Sequence, residues 1–172
     1  NADFPNTKSL YQSIYDYVTK FGGNVEFSSD GTYKTKPDHI IMVYGETPYA
    51  EGEGDIDDLN FSKSNKEILS MMSELTSKGY PITSLFLSGR PLVVNDELNM
   101  SDAFVSLWLP GTAIEGINDV IFSKKDNSIN FDFKGKLSYS WPKSKSKHSN
   151  VGNTDYDPLF AYGYGLTYKD SK

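Results

Sequence analysis

His39-Ile40-Ile41-Met42-Val43-Tyr44 decides the fold. Beyond its histidine the run is apolar throughout and of strand length, which suits a strand covered on both faces, as in a parallel sheet. Two further runs read as buried strands of the same kind: Ile82 to Leu87 behind Pro81, and Ala103 to Leu109 ahead of Pro110-Gly111. A helix is expected between the first two. Ser64 with Glu67 reads as its capping box, Ile68, Leu69, Met71, Met72 and Leu75 as its apolar stripe, and Gly79 as its stop. A short helical stretch through Val120-Ile121 follows the third run. Near the start, Leu10, Ile14, Tyr17, Val18 and Phe21 recur at helical spacing before Gly22-Gly23. A short strand, Asn24 to Phe27, is expected ahead of the turn Ser28-Ser29-Asp30-Gly31. Strand, helix and strand alternate, so the expected class is α/β, a three-layer αβα sandwich with a largely parallel sheet.

From about Phe122 the pattern changes. Strand-like pieces (Ile129 to Phe133, Leu137 to Trp141) precede a Lys/Ser-rich loop at Lys143 to His148 and a Gly-rich aromatic end. Residues 122–172 read as a covering tail within one domain, and 172 residues suit a single domain. An aromatic share of 14% is too high for a disordered chain, and no apolar run approaches the roughly 18 residues of a membrane span. Seventeen basic against 23 acidic residues, a net charge of -6, argue against a nucleic-acid partner. Without cysteine there is no disulfide framework, thiol nucleophile or cysteine metal site. The chain opens at Asn1 with nothing like a signal peptide and reads as processed, truncated or excised.

In an open α/β sheet, ligands bind beyond the carboxyl ends of the strands. Three loops are expected at that edge: Gly45 to Phe61, Ser88 to Pro91, and Pro110 to Thr112. The first is long and holds Glu46, Glu51, Glu53, Asp55, Asp57 and Asp58, six acids in thirteen residues. As an EF-hand it fails, because Leu59 falls at the fifth position from Asp55 and Lys66 at the twelfth. A looser calcium site, a solvated acidic loop and carbohydrate chemistry all remain compatible with the acids. A glycosidase needs one carboxyl group to protonate the leaving oxygen and a second as nucleophile or base. Burial beside Tyr49 when substrate closes the site would raise a glutamate's pKa for the first role. His39 and His148 have no partner at metal-ligand spacing, Ser88-Gly89-Arg90 lacks a nucleophile-elbow surround, and no nucleotide-binding motif is present.

The acids lie in Gly45-Glu46-Thr47-Pro48-Tyr49-Ala50-Glu51-Gly52-Glu53-Gly54-Asp55. Further blocks follow in order: Leu87-Ser88-Gly89-Arg90-Pro91-Leu92; Ser101-Asp102-Ala103-Phe104-Val105 with Trp108-Leu109-Pro110-Gly111-Thr112; Gly135-Lys136-Leu137-Ser138-Tyr139-Ser140-Trp141-Pro142; Tyr156-Asp157-Pro158-Leu159-Phe160; and Tyr162-Gly163-Tyr164-Gly165-Leu166-Thr167-Tyr168. Together they resemble the C-terminal sandwich domain of family 3 glycoside hydrolases, the exo-acting β-glucosidases and β-glucan glucohydrolases. The resemblance covers the chain from about Asp3 to Tyr168.

What the resemblance implies is a retaining hydrolase releasing glucose from the non-reducing ends of β-glucan or cello-oligosaccharides. Its nucleophilic Asp would sit on a separate barrel domain, and the acid/base Glu on a loop of the sandwich. Residue by residue, the acid/base falls on Glu51, ahead of Glu46, which reads as a structural acid at the strand end, and Glu53, which reads as solvated. Arg90 is expected to pair with a loop carboxylate and hold the site edge. Asp102 precedes a strand, at the edge opposite the acidic loop, and is rejected as a nucleophile; Trp108 and Trp141 are expected to pack in the core or under the tail. No cofactor is implied.

Two departures stand out. Ala113-Ile114 replaces the acid that usually follows the family's Leu-Pro-Gly block. The barrel is absent, as is the domain's opening stretch with its first strand and a sugar-clamping Trp, so the chain reads as an N-terminally truncated, partial domain. The expected partners are substrate and the barrel in cis or trans, with self-association through the exposed sheet edge. The expected location, from the family, is secreted or periplasmic. The alternative is a non-catalytic carbohydrate- or partner-binding module.

Overall fold

The computed structural model describes residues 4–145 and 150–170, so His148 and the end of its Lys/Ser-rich loop lie outside the described residues. In chain order the helices and strands are α1 (Leu10–Lys20), β1 (Ile40–Gly45), α2 (Phe61–Ser64), α3 (Lys66–Ser77), β2 (Ile82–Leu87), α4 (Asn95–Asn99), β3 (Ala103–Trp108) and α5 (Gly116–Ile121). Short 3-10 turns occupy Glu51–Gly54 and Tyr168–Asp170. The chain divides into two compact units. One gathers the segment up to Ser29, Pro110–Gly135 and the segment from Gly165; the other holds Asp30–Leu109 and Lys136–Tyr164. The tail from Phe122 is therefore shared between them.

The sheet lies wholly in the second unit. Its order is β1-β2-β3, with both pairs parallel. Ile40 pairs with Ile82 and Gly45 with Leu87, and Thr83 pairs with Ala103. β2 is central, and Ile82, Ser84, Leu85 and Phe86 are all fully buried, as a two-sided strand requires. β1 departs from the two-sided burial expected of it. Met42 and Tyr44 are buried, whereas Val43 is 44% exposed. Among the described residues β1 pairs with β2 alone, and its burial alternates like that of a one-sided strand.

α3 connects β1 to β2 and sends Met72 and Leu75 into a core with Phe61, Phe86, Leu92, Val94 and Trp141. It closes on a Schellman motif: Tyr80 N donates to Leu75 O and Gly79 N to Thr76 O, with Gly79 at φ +78. The helix does not begin at the expected capping box. Asn60 instead caps α2, its side chain accepting from Lys63 N at 2.9 Å. Ser64 is thereby helical, and an N-cap must be non-helical, so it cannot cap α3. The chain breaks at Asn65 and restarts at Lys66.

The pieces Leu137 to Trp141 and Ile129 to Phe133 form no strands. In the second unit the pairing is scattered: Leu137 N donates to Tyr164 O, Gly163 N to Leu137 O, and Trp141 bridges Phe160. Trp141 is 2% exposed and donates from Nε1 to Leu92 O at 2.6 Å, which locks the tail to the core. Trp108 stands 5.6 Å from it, ring centre to ring centre.

In the first unit, Ser9 caps α1 by accepting from Gln12 N at 3.1 Å. Asn118 of α5 donates to Ser13 O and Oγ at 3.0 and 2.8 Å, and Tyr17 stacks on Phe122. Tyr168 returns to this unit, its backbone N donating to Asp132 and its hydroxyl to the Val120 carbonyl. Asn24 to Phe27 is not a strand. No strand pairs with it among the described residues, and Phe27, 65% exposed, rests on Tyr11.

Candidate functional site

Parallel pairing sends the carboxyl ends of β1 and β2 to the same edge, side by side. Gly45, the last residue of β1, pairs with Leu87, the last of β2. A Cβ on Gly45 would stand 2.0 Å from Leu87 O, so the strand ends meet this closely because residue 45 has no side chain. Glu46 N continues the ladder to Leu87 O at 2.9 Å. The acidic loop and the Ser88 to Pro91 loop therefore leave the sheet together. The third expected loop, Pro110 to Thr112, belongs to the first unit.

Arg90 joins the two loops. Its Nε donates to Glu46 Oε1 at 2.9 Å, and Gly89 N donates to Glu46 Oε2 at 3.3 Å. The side chains of this ion pair are only 21% and 13% exposed, so solvent screens it less than a surface pair. Arg90 Nη1 donates to the Gly54 carbonyl, and its guanidinium lies 4.1 Å from the Tyr49 ring centre. The Tyr49 ring also fills the space beside Gly89, where a Cβ would come within 2.7 Å of its hydroxyl. Ser88 is buried and its hydroxyl donates to Arg90 O, which fixes the turn that aims the guanidinium.

The six acids separate by environment. Glu46 is the half-buried partner of Arg90. Asp58 anchors the far end of the loop, binding Lys63 at 2.8 Å and Lys145 at 3.7 Å; the hydrogen bond from Lys63 holds its carboxyl below the usual range. Glu51, Glu53, Asp55 and Asp57 are exposed. Glu51 opens the 3-10 turn with φ +50, a left-handed conformation that non-glycine residues adopt sparingly and that recurs at functional sites. Leu59, Asn60 and Phe61 then tie the loop back to the sheet side through Val93, Val93 N donating to Leu59 O and Phe61 N to Val93 O. Among the described residues no three His, Cys, Asp or Glu converge to hold a metal.

Asp102 sits at the opposite edge of the sheet, its Oδ2 accepting from Ile82 N at 2.8 Å. His39, just ahead of β1, pairs its Nε2 with Thr83 Oγ1 at 2.8 Å. Trp108 ends β3 with φ +54 beside a register shift at Phe86/Leu87, and packs on Tyr139 and Trp141. Sequence reasoning missed Leu109. It is 73% exposed, and its Cδ1 lies 3.8 Å from where a Gly89 Cβ would stand, so it adds an apolar surface next to Tyr49. The available signal was a large apolar residue between the last strand and Pro110-Gly111, at the edge where side chains face a ligand. The structure thus brings together Glu46, Tyr49, Gly54, Arg90 and Leu109, with Glu51 and Glu53 on the turn they brace. Among the described residues no helix is long and apolar enough to cross a membrane.

An exo-1,3/1,4-beta-glucanase from a Pseudoalteromonas species is 50% identical over the whole of this chain, with a TM-score of 0.94, and the chain covers 22% of it. A lysosomal beta glucosidase of Dictyostelium discoideum is 31% identical over 143 residues, 76% of this chain and 16% of the relative. A periplasmic beta-glucosidase of Salmonella typhimurium is 27% identical over 157 residues, 76% of this chain and 19% of the relative. The chain therefore spans about a fifth of the length of the relatives it matches. The family model for the glycosyl hydrolase family 3 C-terminal domain matches residues 1–168. The α/β sandwich expected from the runs at Ile40, Ile82 and Ala103 is the fold of the matching part of the Pseudoalteromonas glucanase, and the chain belongs to glycosyl hydrolase family 3 as its C-terminal domain.

Proposed function

We propose that this domain supplies the general acid/base of a retaining exo-β-glucosidase or β-glucan glucohydrolase, and that Glu51 is that residue. The nucleophilic Asp would come from a barrel domain elsewhere in the longer protein, and β-1,3/1,4-glucan or cello-oligosaccharide would bind between the two. The observation that carries the reading is the braced turn at Glu51–Gly54, which presents an exposed carboxylate at the carboxyl edge of a parallel sheet. Both carboxylate oxygens of Glu46 are already engaged, by Arg90 Nε and Gly89 N, which makes it the bracing acid of the loop. Glu53 shares the turn, and the match of Pro48-Tyr49-Ala50-Glu51 to the family motif favours Glu51 over it.

In the first step, a protonated Glu51 would donate to the glycosidic oxygen as the nucleophile attacks the anomeric carbon. In the second step the Glu51 carboxylate takes a proton from the water that releases glucose. Retention requires the two carboxyl groups about 5 to 5.5 Å apart. The name of the Salmonella relative supports a secreted or periplasmic setting. The test is Glu51→Gln in the longer enzyme, with kcat/KM on cellobiose expected to fall about 100-fold or more. The 172-residue chain alone should turn over no aryl β-glucoside; turnover that disappears in the isolated E51Q chain would overturn the two-domain reading.

A further inference from the structure

Arg90 holds three points of the acidic loop at once. Nε takes Glu46 at the loop's start, the guanidinium face covers Tyr49, and Nη1 takes the carbonyl of Gly54 at the end of the 3-10 turn. Glu51 lies between the second and third of these points, with its own side chain exposed. The turn buries none of its own residues, so no packing of its side chains into the core fixes its position. The geometry suits arginine specifically. A planar fork donates in two directions while its face stacks on a ring, whereas an ammonium group offers a point charge without a face.

We propose that Arg90 is a positioning residue for the acid/base: by clamping Glu46, Tyr49 and Gly54 together, its guanidinium sets where Glu51 stands relative to the glycosidic oxygen. This rests on the reading of Glu51 as the acid/base. A displaced acid fails to protonate the leaving group, and that failure depends on how much the leaving group needs the proton. 2,4-Dinitrophenolate departs unprotonated, while an alkoxide does not. Because kcat/KM reports the step in which the leaving group departs, the two substrate types separate misplacement of the acid from general damage to the site.

The experiment compares kcat/KM for 2,4-dinitrophenyl β-glucoside and methyl β-glucoside in the longer enzyme, for the parent, R90A, R90K and E51A. Arg90→Ala is expected to lose about 100-fold on the methyl glucoside and no more than about threefold on the dinitrophenyl glucoside. Arg90→Lys keeps the charge opposite Glu46 but not the fork or the stack, and is expected to track the alanine variant within about threefold. Equal losses on the two substrates, no loss on either, or full recovery in R90K would overturn the proposal. If R90A does not fold, R90K and Glu46→Gln go through the same pair of substrates under the same criterion. E51A separates the two readings. A loss in E51A that ignores the leaving group defeats the acid/base assignment itself. A leaving-group-dependent loss in E51A without one in the Arg90 variants defeats only the positioning role.

Discussion

Replacing Trp141 probes how the tail is fastened to the sheet. The indole is 2% exposed, donates to Leu92 O at 2.6 Å, and faces Phe86 and Phe104 at 6.4 Å and Trp108 at 5.6 Å between ring centres. Trp141→Phe keeps most of the ring contacts but leaves the Leu92 carbonyl, on a residue 3% exposed, without its donor. An orphaned buried acceptor costs about 1–3 kcal/mol. Trp141→Ala also opens a cavity among the aromatic rings, which brings the loss to about 3–5 kcal/mol. For a chain of 172 residues each kcal/mol lowers Tm by about 2–4 °C, so about 2–12 °C is expected for W141F and about 6–20 °C for W141A. Far-UV circular dichroism with urea and thermal unfolding is the assay, since the substitution removes one of the two tryptophans and compromises fluorescence. A phenylalanine variant within about 0.5 kcal/mol of the parent, or an alanine variant no worse than it, would refute the view that Trp141 pins the tail.

Gly45→Ala should separate β1 from β2, because the new Cβ would meet Leu87 O at 2.0 Å and Leu87 Cβ at 2.8 Å. A loss of about 3 kcal/mol, at the upper end of over-packing costs, is expected in the urea midpoint, and an unchanged midpoint would contradict the close approach. Glu97 is fully buried, and burial, outweighing the Ser62 hydroxyl beside its carboxyl group, raises its pKa above the ordinary value. The folded chain therefore holds this proton more tightly than the unfolded one. The contribution to stability is complete below the ordinary glutamate pKa of about 4.3 and is lost as pH rises through the folded value. Parent Tm should accordingly fall, relative to Glu97→Gln, as pH climbs from acid toward alkaline; parallel curves would contradict the raised pKa of Glu97.

The strands were legible because burial selects composition. Ile82 to Leu87 reads as a buried run and proves to be the central strand, with Leu85 and Phe86 fully enclosed. β1 has the same composition but not the same burial. Its run does not encode how many neighbours pair with it, and Val43 is exposed where a two-sided strand would hide it. The capping box at Ser64 failed for a local reason: Asn60 satisfied Lys63 N one turn earlier and drew Ser64 into α2. The tail pieces had strand composition without strand partners. Isolated contacts such as Trp141 with Phe160 need just one residue on each side, and no alternation records them.

The site was legible in part for similar reasons. The acidic loop stood out by charge, and its place at the carboxyl edge followed from the parallel sheet. Which of six acids would take Arg90 could not be read, because Glu46 and Arg90 are 44 residues apart and meet through the pairing of Gly45 with Leu87. The Gly54 carbonyl left no trace in the sequence, and Leu109 only a weak one. One contributes a backbone atom, and the other looks like a strand residue until the chain turns at Trp108.

The central claim, that Glu51 is the acid/base of a retaining site, is tested most directly by supplying azide to the Glu51→Ala form of the longer enzyme with 2,4-dinitrophenyl β-glucoside. This substrate forms the glycosyl intermediate without an acid, and azide attacks that intermediate without a base. The account predicts that turnover rises with azide concentration and that proton NMR shows β-glucosyl azide as the product. Turnover that ignores azide, or an α-glucosyl azide, would contradict it.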